Sequence, residues 1–290
     1  MTDSLQHLVR NDNLRLAYRI VHGSHPTVVW LGGFHSDMTG TKAQVLADQA
    51  QATGGGYLRF DYFGHGESDG AFEDGTITRW REDALAVIDD LTEGPLVLVG
   101  SSMGGWIACL AAIARPERVK AMVLIAPAPD FTEKLMEPEL SAEAKAAIAR
   151  DGRWTRPSEY DDGGYVITRE LLEDGARWSI LSGRVPIDAP VRILQGGADP
   201  DVPWTHALEL ANSLASDDVV FTLIKDGDHR LSRPQDLERL VAAVAEARSR
   251  VELDGEGDLV SRRLARAARL RGAPNLEALA PAPWASAEEE

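Results

Sequence analysis

Apolar runs alternate with stretches of helical periodicity over the first 125 residues and again from about residue 191. Leu14–Val21, Thr27–Leu31, Gly56–Phe60, Leu96–Val99, Val119–Ile125, Val191–Leu194 and Val219–Ile224 are short and mostly rich in Val, Ile and Leu, which predicts strands. Thr41–Ala52, Thr78–Leu91, Met103–Ala114, Thr205–Leu214 and Pro234–Arg250 have the length and apolar spacing of helices. Near-continuous apolar strands separated by helices predict an α/β class fold, with a mostly parallel, doubly wound sheet and helices on both faces. The first segments, on either side of Asn11-Asp12-Asn13, read as an antiparallel hairpin on one edge.

One connection breaks this rhythm. The 65 residues 126–190 contain no strong strand pattern and are too many for a structureless loop in a compact domain. Ser141–Arg150 and Ile167–Leu181 read as helices, with Pro157, Gly163, Gly164 and Pro186 as punctuation. Trp154, Tyr160, Tyr165 and Trp178 are concentrated here in a chain that is only 6% aromatic, so the stretch reads as a helical cap inserted over the C-terminal edge of the sheet. The expected division is a core of residues 1–127 and 187–250, a cap of residues 128–186, and a C-terminal helix and tail of residues 251–290. Gly255–Gly257 reads as a break, Leu259–Arg271 as a helix carrying five arginines on a solvated or back-packed surface, and Ala273–Glu290 as poorly ordered.

Composition narrows the function classes. A formal charge of −16, from 30 basic and 46 acidic residues, disfavours nucleic acid and anionic membrane surfaces as partners. No apolar run approaches the roughly 18 residues of a membrane span, and the first residues lack the basic and apolar regions of a secretory signal. A single cysteine, Cys109, forms no internal disulfide, fits a reducing compartment and reads as a small buried hydrophobe. Together these predict a cytoplasmic protein without stable membrane insertion.

The chemistry begins at Gly100-Ser101-Ser102-Met103-Gly104-Gly105, which lies directly between the run Leu96–Val99 and the helix starting at Met103. A serine at the tip of such a strand–turn–helix needs neighbours almost free of side chain. Gly100 and Gly104 supply that clearance in a G-x-S-x-G pattern, exposing Ser102 Oγ and aiming the Met103 N–H at the same space. Ser101 occupies an x position and points away.

A serine nucleophile requires a base and an orienting acid. His229, in Lys225-Asp226-Gly227-Asp228-His229-Arg230, is the histidine on a late loop after a strand and is the expected base. His7, His22 and His25 belong to the N-terminal edge, His206 to a helix start, and His35 and His65 to loops near the site. Asp199 and Asp201 both follow the run ending at Leu194. Asp199 is preferred through its Gly196-to-Asp199 turn, and Asp201 is assigned as a cap for the helix near Trp204. Asp226 and Asp228 read as turn formers. The oxyanion donors expected for a tetrahedral intermediate are the backbone N–H groups of Phe34, in Gly32-Gly33-Phe34-His35-Ser36, and of Met103. Asp61–Ser68 follows the D-x-x-G-x-G-x-S pattern of this fold, in a role that holds the loops under the nucleophile. No cofactor is implied, and no His, Cys, Asp or Glu set has metal-ligand spacing.

Asp61–Gly70, Thr78–Asp90, Gly94–Trp106, Ala112–Glu117, Asp201–Trp204 and Asp228–Arg230, with Pro157–Tyr160, together resemble the mitochondrial palmitoyl-protein thioesterase family of the abhydrolase-domain group, whose members also hydrolyse acyl glucuronides. The resemblance spans about residues 14–248 and identifies the chain as a bacterial-type member of the α/β-hydrolase superfamily. It implies the triad Ser102, Asp199 and His229 and an acyl ester or thioester substrate, small-molecule or S-acylated protein. The chain differs in lacking a transit peptide and in its tail after about residue 251. Two other classes compete: a carbon–carbon hydrolase or cofactor-free haloperoxidase on the same fold and triad, and a non-catalytic binding module, which should lack a triad member.

Overall fold

The computed structural model describes residues 3–156 and 164–270. The chain opens with β1 (Gln6–Val9), β2 (Arg15–Val21), β3 (Ser24–Leu31), α1 (Thr41–Thr53), β4 (Gly55–Phe60) and α2 (Ile77–Leu91). It continues through β5 (Leu96–Ser101), α3 (Met103–Ala114), β6 (Val119–Ile125), α4 (Glu137–Glu139), α5 (Ala142–Asp151), β7 (Arg153–Arg156), β8 (Tyr165–Thr168) and α6 (Arg169–Arg177). It closes with β9 (Val191–Gly196), α7 (Trp204–Ser213), β10 (Val219–Ile224) and α8 (Pro234–Leu270).

Eight strands form one sheet in the order β1-β2-β4-β3-β5-β6-β9-β10. The six strands from β4 to β10 in this order are parallel, as the apolar runs predict, and β1 and β2 form the antiparallel edge. The edge hairpin turns at Asn13, in the left-handed region at φ 65°, with the Leu14 N–H donating to Asp12 Oδ1 at 3.1 Å. Alternation along β5 shows how the layers are built. Leu96 and Leu98 join the apolar layer of α2 and α3 (Trp80, Val87, Met103, Trp106), whereas Val97 and Val99 join that of α1 and α8 (Leu46, Ala50, Leu240, Val244). The loops leaving the C-terminal ends of β3, β5, β9 and β10 therefore meet at one edge of the sheet.

Three local expectations differ from what forms. Residues 165–168 are a strand, antiparallel to β7 with Ile167 opposite Trp154, so the expected helix does not begin at Ile167. The β-branched run Val166-Ile167-Thr168 favours extended backbone. Thr168 then caps α6, its Oγ1 accepting the Leu171 N–H at 3.1 Å, and the helix ends at Arg177 instead of Leu181. The expected break at Gly255–Gly257 is absent, and α8 continues to Leu270. Gly255 and Gly257 each cost only about 1 kcal/mol in a helix interior, which their helix-forming neighbours offset. Asp201 does not cap α7: the N-cap position is Pro203, and no side chain bonds there. Pro157, Tyr160, Gly163, Arg271 and the tail Ala273–Glu290 lie outside the described residues.

Candidate active site

Ser102 sits between β5 and α3 at φ 55°, ψ −119°. That conformation is strained for a residue with a side chain and persists only where the surroundings enforce it. Here they are backbone. A Cβ on Gly100 would overlap the Gly104 carbonyl, and one on Gly104 would overlap the Leu31 carbonyl. A Cβ on Gly105 would come within 2.8 Å of Pro127 Cβ. Helix α3 thus presses its first turn against β3 and the loop after β6, and Met103 through Ala112 are all buried. The Ser102 N–H donates to Ile125 O, and its carbonyl accepts from Gly105 and Ala128. The Ser102 backbone is tied on every side, and its hydroxyl stands at the positive end of α3.

The structure brings Ser102, His229 and Asp199 together from three separate loops. His229 Nε2 lies 3.1 Å from Ser102 Oγ, and His229 Nδ1 lies 2.8 Å from Asp199 Oδ2. A carboxylate only accepts, so Nδ1 carries the hydrogen and Nε2 is bare toward the hydroxyl. Asp199 is fully buried at its side chain and His229 is 23% exposed, which leaves the imidazole open to a ligand but not its acid partner. Asp199 Oδ1 accepts the amides of Asp201 and Val202, each at 2.9 Å, while Gln195 Nε2 donates to Oδ2 at 3.2 Å. Asp201 itself is exposed. Gln195, at the buried end of β9, also donates to Val202 O at 3.0 Å and so closes the acid loop. This residue was missed from the sequence, where the signal was a polar side chain ending an apolar strand. Next to His229, Lys42 Nζ on α1 donates to Arg230 O at 2.5 Å, and burial pushes this ammonium down to about 8.

The loop after β3 comes in beside the serine. A Cβ on Gly33 would lie 3.4 Å from Ser102 Cβ. The Gly33 carbonyl accepts from Ser36 N–H at 3.3 Å and from Ser36 Oγ at 2.8 Å. The N–H groups of Phe34 and Met103 have no acceptor among the described residues. Asp61, the first residue of the glycine-rich turn after β4, reaches this loop as well. Its Oδ1 accepts the Met38 N–H at 2.7 Å and its Oδ2 accepts the Glu67 N–H at 2.9 Å. Burial of its carboxyl pushes it up to about 6.

Known proteins resemble this chain. The Hydrolase_4 family model, described as serine aminopeptidase, S33, matches residues 23–162. The mitochondrial palmitoyl-protein thioesterase ABHD10 of Bos taurus is 39% identical over 242 residues, covering 83% of this chain and 79% of the relative. The chain belongs to the ABHD10 family of α/β-hydrolases. The solved mouse ABHD10 structure superposes with a TM-score of 0.79 at 36% identity, over 86% of this chain and 99% of that one. A hydrolase structure from Agrobacterium vitis S4 gives 0.81 at 47% identity, over 84% and 98%. The protein is therefore a hydrolase with the α/β-hydrolase fold, and, among the described residues, no helix is long and apolar enough to cross a membrane.

Within this ABHD10-type fold Phe34 is the centre of an aromatic cluster. The Phe34 ring packs edge-on against Phe72 (4.8 Å between centroids), Phe131 (5.5 Å), Tyr165 (5.5 Å) and Trp80 (5.8 Å). Of the four aromatics singled out in residues 126–190, Tyr165 reaches this cluster. Trp178 sits on α2 instead, with the Arg81 guanidinium 4.4 Å over its ring and its Nε1 donating to Thr78 Oγ1 at 2.6 Å. Trp154 packs on the core from β7. Phe72, Trp80 and Phe131 went unremarked because helical spacing explains Trp80 as core and the other two start short helical turns outside the helices read from the sequence.

The remaining candidates have structural partners. His206 Nε2 donates to Pro129 O at 2.8 Å, Asp226 pairs with Arg233 at 2.7 Å, and Asp228 accepts the Leu231 N–H. Burial raises the Cys109 thiol to about 12, as expected of an inert core residue. Asp199, Asp201 and His229 do bring ligand-type atoms within 4.8 Å of one another, a grouping the linear spacing did not reveal. Both oxygens of Asp199 already accept hydrogen bonds, so a cation there would displace the contacts that orient the histidine.

Proposed function

We propose that the protein is a serine hydrolase that cleaves carboxylic esters or thioesters through an acyl-enzyme intermediate, with Ser102 as nucleophile, His229 as general base and Asp199 as orienting acid. The observation that carries this reading is the pair of contacts at 3.1 and 2.8 Å that links Ser102 Oγ through the imidazole to Asp199. In the first half-reaction Ser102 Oγ attacks the acyl carbonyl while Nε2 takes its proton. The N–H groups of Phe34 and Met103 stabilise the oxyanion, and the proton passes to the departing alcohol or thiol. In the second, water gives its proton to Nε2 and attacks the acyl-serine, which releases the acid and returns the proton to Oγ.

We read residues 128–186 as a cap on the core formed by 1–127 and 187–250, with the Phe34–Tyr165 contact at the seam, and medium-to-long acyl chains as the preferred substrates. The name of the ABHD10 relatives, palmitoyl-protein thioesterase, supports the same acyl class, including S-acylated proteins. Each buried CH₂ contributes about 0.8 kcal/mol, so kcat/KM for p-nitrophenyl esters should rise roughly tenfold for each two carbons until the pocket is full. The net charge of −16 favours weakly charged leaving groups over coenzyme A. A profile that is flat from acetate to octanoate would leave a small-ester hydrolase as the better reading. Turnover of β-diketones or halide-dependent oxidation without esterase activity would favour the carbon–carbon hydrolase or haloperoxidase alternative. The ABHD10 relatives are named as mitochondrial, whereas the buried lone thiol fits any reducing compartment. We place this protein in the cytoplasm, which cell fractionation tests.

A further inference from the structure

Two peptide units of the loop after β3 are held from opposite sides. The Gly33–Phe34 unit has its carbonyl on Ser36 N–H and Oγ, which turns the Phe34 N–H the other way. The next unit donates its His35 N–H to His65 Nε2 at 3.3 Å. His35 stands at φ 57°, in the left-handed region, so this turn needs an external tie to keep its shape.

His65 is 4% exposed and lies edge-on to Phe72 (5.1 Å), Trp80 (5.4 Å) and Tyr62 (5.7 Å). Its Nδ1 is 3.0 Å from Phe63 O. A carbonyl only accepts and an amide N–H only donates, so the two contacts select one form of the ring: neutral, with the hydrogen on Nδ1 and a lone pair on Nε2. Burial enforces this form by pushing the imidazole down to about 4. A phenylalanine would fill the same aromatic cage without desolvating two nitrogens. What the imidazole adds is an acceptor aimed at the oxyanion loop.

We propose that His65 is a positioning residue for the oxyanion site, its bare Nε2 holding the His35 amide so that the preceding Phe34 N–H faces the carbonyl oxygen of a substrate on Ser102. The proposal rests on the reading of Ser102 as nucleophile. His65 touches neither substrate nor the reacting atoms and acts through the backbone alone. Its loss should therefore weaken the transition state while leaving ground-state binding in place.

The test compares His65→Phe, which keeps ring volume and removes the acceptor, with His65→Gln, which returns an amide oxygen near the position of Nε2. Loss of a whole oxyanion donor costs about 10²–10³ in kcat, so misplacement of one in His65→Phe should lower kcat for p-nitrophenyl octanoate roughly tenfold to a hundredfold with KM within about twofold. The rate of fluorophosphonate labelling should fall in parallel, and His65→Gln should recover most of both. The proposal is overturned if folded His65→Phe keeps more than half of the kcat, if KM rises as far as kcat falls, or if glutamine rescues nothing. Should His65→Phe fail to fold, ¹⁵N spectra of the wild-type protein decide. An unprotonated Nε2 coupled to the His35 amide supports the proposal, and a hydrogen on Nε2 overturns it. Ser102→Ala in the same assay reports on the nucleophile alone, so activity surviving there indicts the parent reading and not the role of His65.

Discussion

The nucleophile turn and the segment between β6 and β9 are held in place by different means. Around Ser102 the constraints are backbone against backbone: Gly100 against Gly104, Gly104 against Leu31, and Gly33 beside Ser102. The inserted segment packs apolar residues such as Phe131, Ile167 and Leu171 on the core and is tied there by a few buried polar side chains. Asp130, 1% exposed, accepts from Ser179 Oγ at 2.7 Å and from the amides of Ile180 and Leu181. Asp174 on α6 accepts the Thr78 N–H and hydroxyl at the start of α2, each at 2.7 Å. Trp106 Nε1 donates to Trp178 O at 3.2 Å. The first kind of constraint tolerates no added atom. The second can be released one residue at a time without dismantling the sheet.

The sharpest break in the comparison is chemical. Ser102→Ala and His229→Ala should each lower kcat on the order of 10⁴-fold with KM little changed, because each removes a group that acts on the reacting atoms. Steady-state kinetics on p-nitrophenyl octanoate checks this, and retention of more than a few per cent of activity would refute the assignment. Next in size is Gly104→Ala, where the added methyl meets the Leu31 carbonyl directly. It should destabilise the fold by about 3 kcal/mol or more, read from the urea midpoint, and activity should disappear with the folded population. A variant of wild-type stability would show that the elbow is looser than its contacts imply.

The same contrast explains what could be read from the sequence. The G-x-S-x-G turn, the apolar strands and the late loop bearing His229 each obey a rule local in sequence, so Ser102 and His229 could be named as candidates from it. Asp199 was distinguishable from Asp201 only by its spacing from Gly196, and three-dimensional contact separates them: one is buried on the imidazole and the other exposed. The inserted segment follows no local rule. Residues 165–168 become a strand because β7 offers a partner, and Trp178 faces α2 because Thr78 and Arg81 wait there. The tie between His65 and His35 joins residues 30 apart, and no spacing announces it.

Asp130→Ala should release the inserted segment selectively. It leaves the half-buried amide of Ile180 and the buried amide of Leu181 without an acceptor, at a cost of about 1–3 kcal/mol. Proteolysis within residues 132–181 should accelerate while amides of β5 and β6 stay protected from hydrogen exchange. Uniform loss of protection would mean that the segment and the sheet open as one unit.

The smallest expected effect concerns pH. His65 is held at about 4 in the fold against an ordinary 6.5, so the unfolded chain takes up its proton first and stability falls as pH drops through that window. Asp61 and Asp83, each pushed up to about 6 by burial, take up protons first in the fold and oppose this loss below about pH 6. Between pH 7 and 5, His65→Phe should therefore gain about 1–2 kcal/mol relative to wild type. Parallel urea midpoints at the two pH values would contradict the buried neutral ring. Chelators should leave activity unchanged, since the carboxylate of Asp199 is committed to the histidine.

The central claim is that Ser102 Oγ carries the acyl group, and covalent trapping tests it most directly. Intact and peptide mass spectrometry after fluorophosphonate treatment should find one adduct per chain, on the peptide containing Ser102. It should be absent in Ser102→Ala and strongly slowed in His229→Ala. An adduct on another residue, or labelling that survives in Ser102→Ala, would contradict the account.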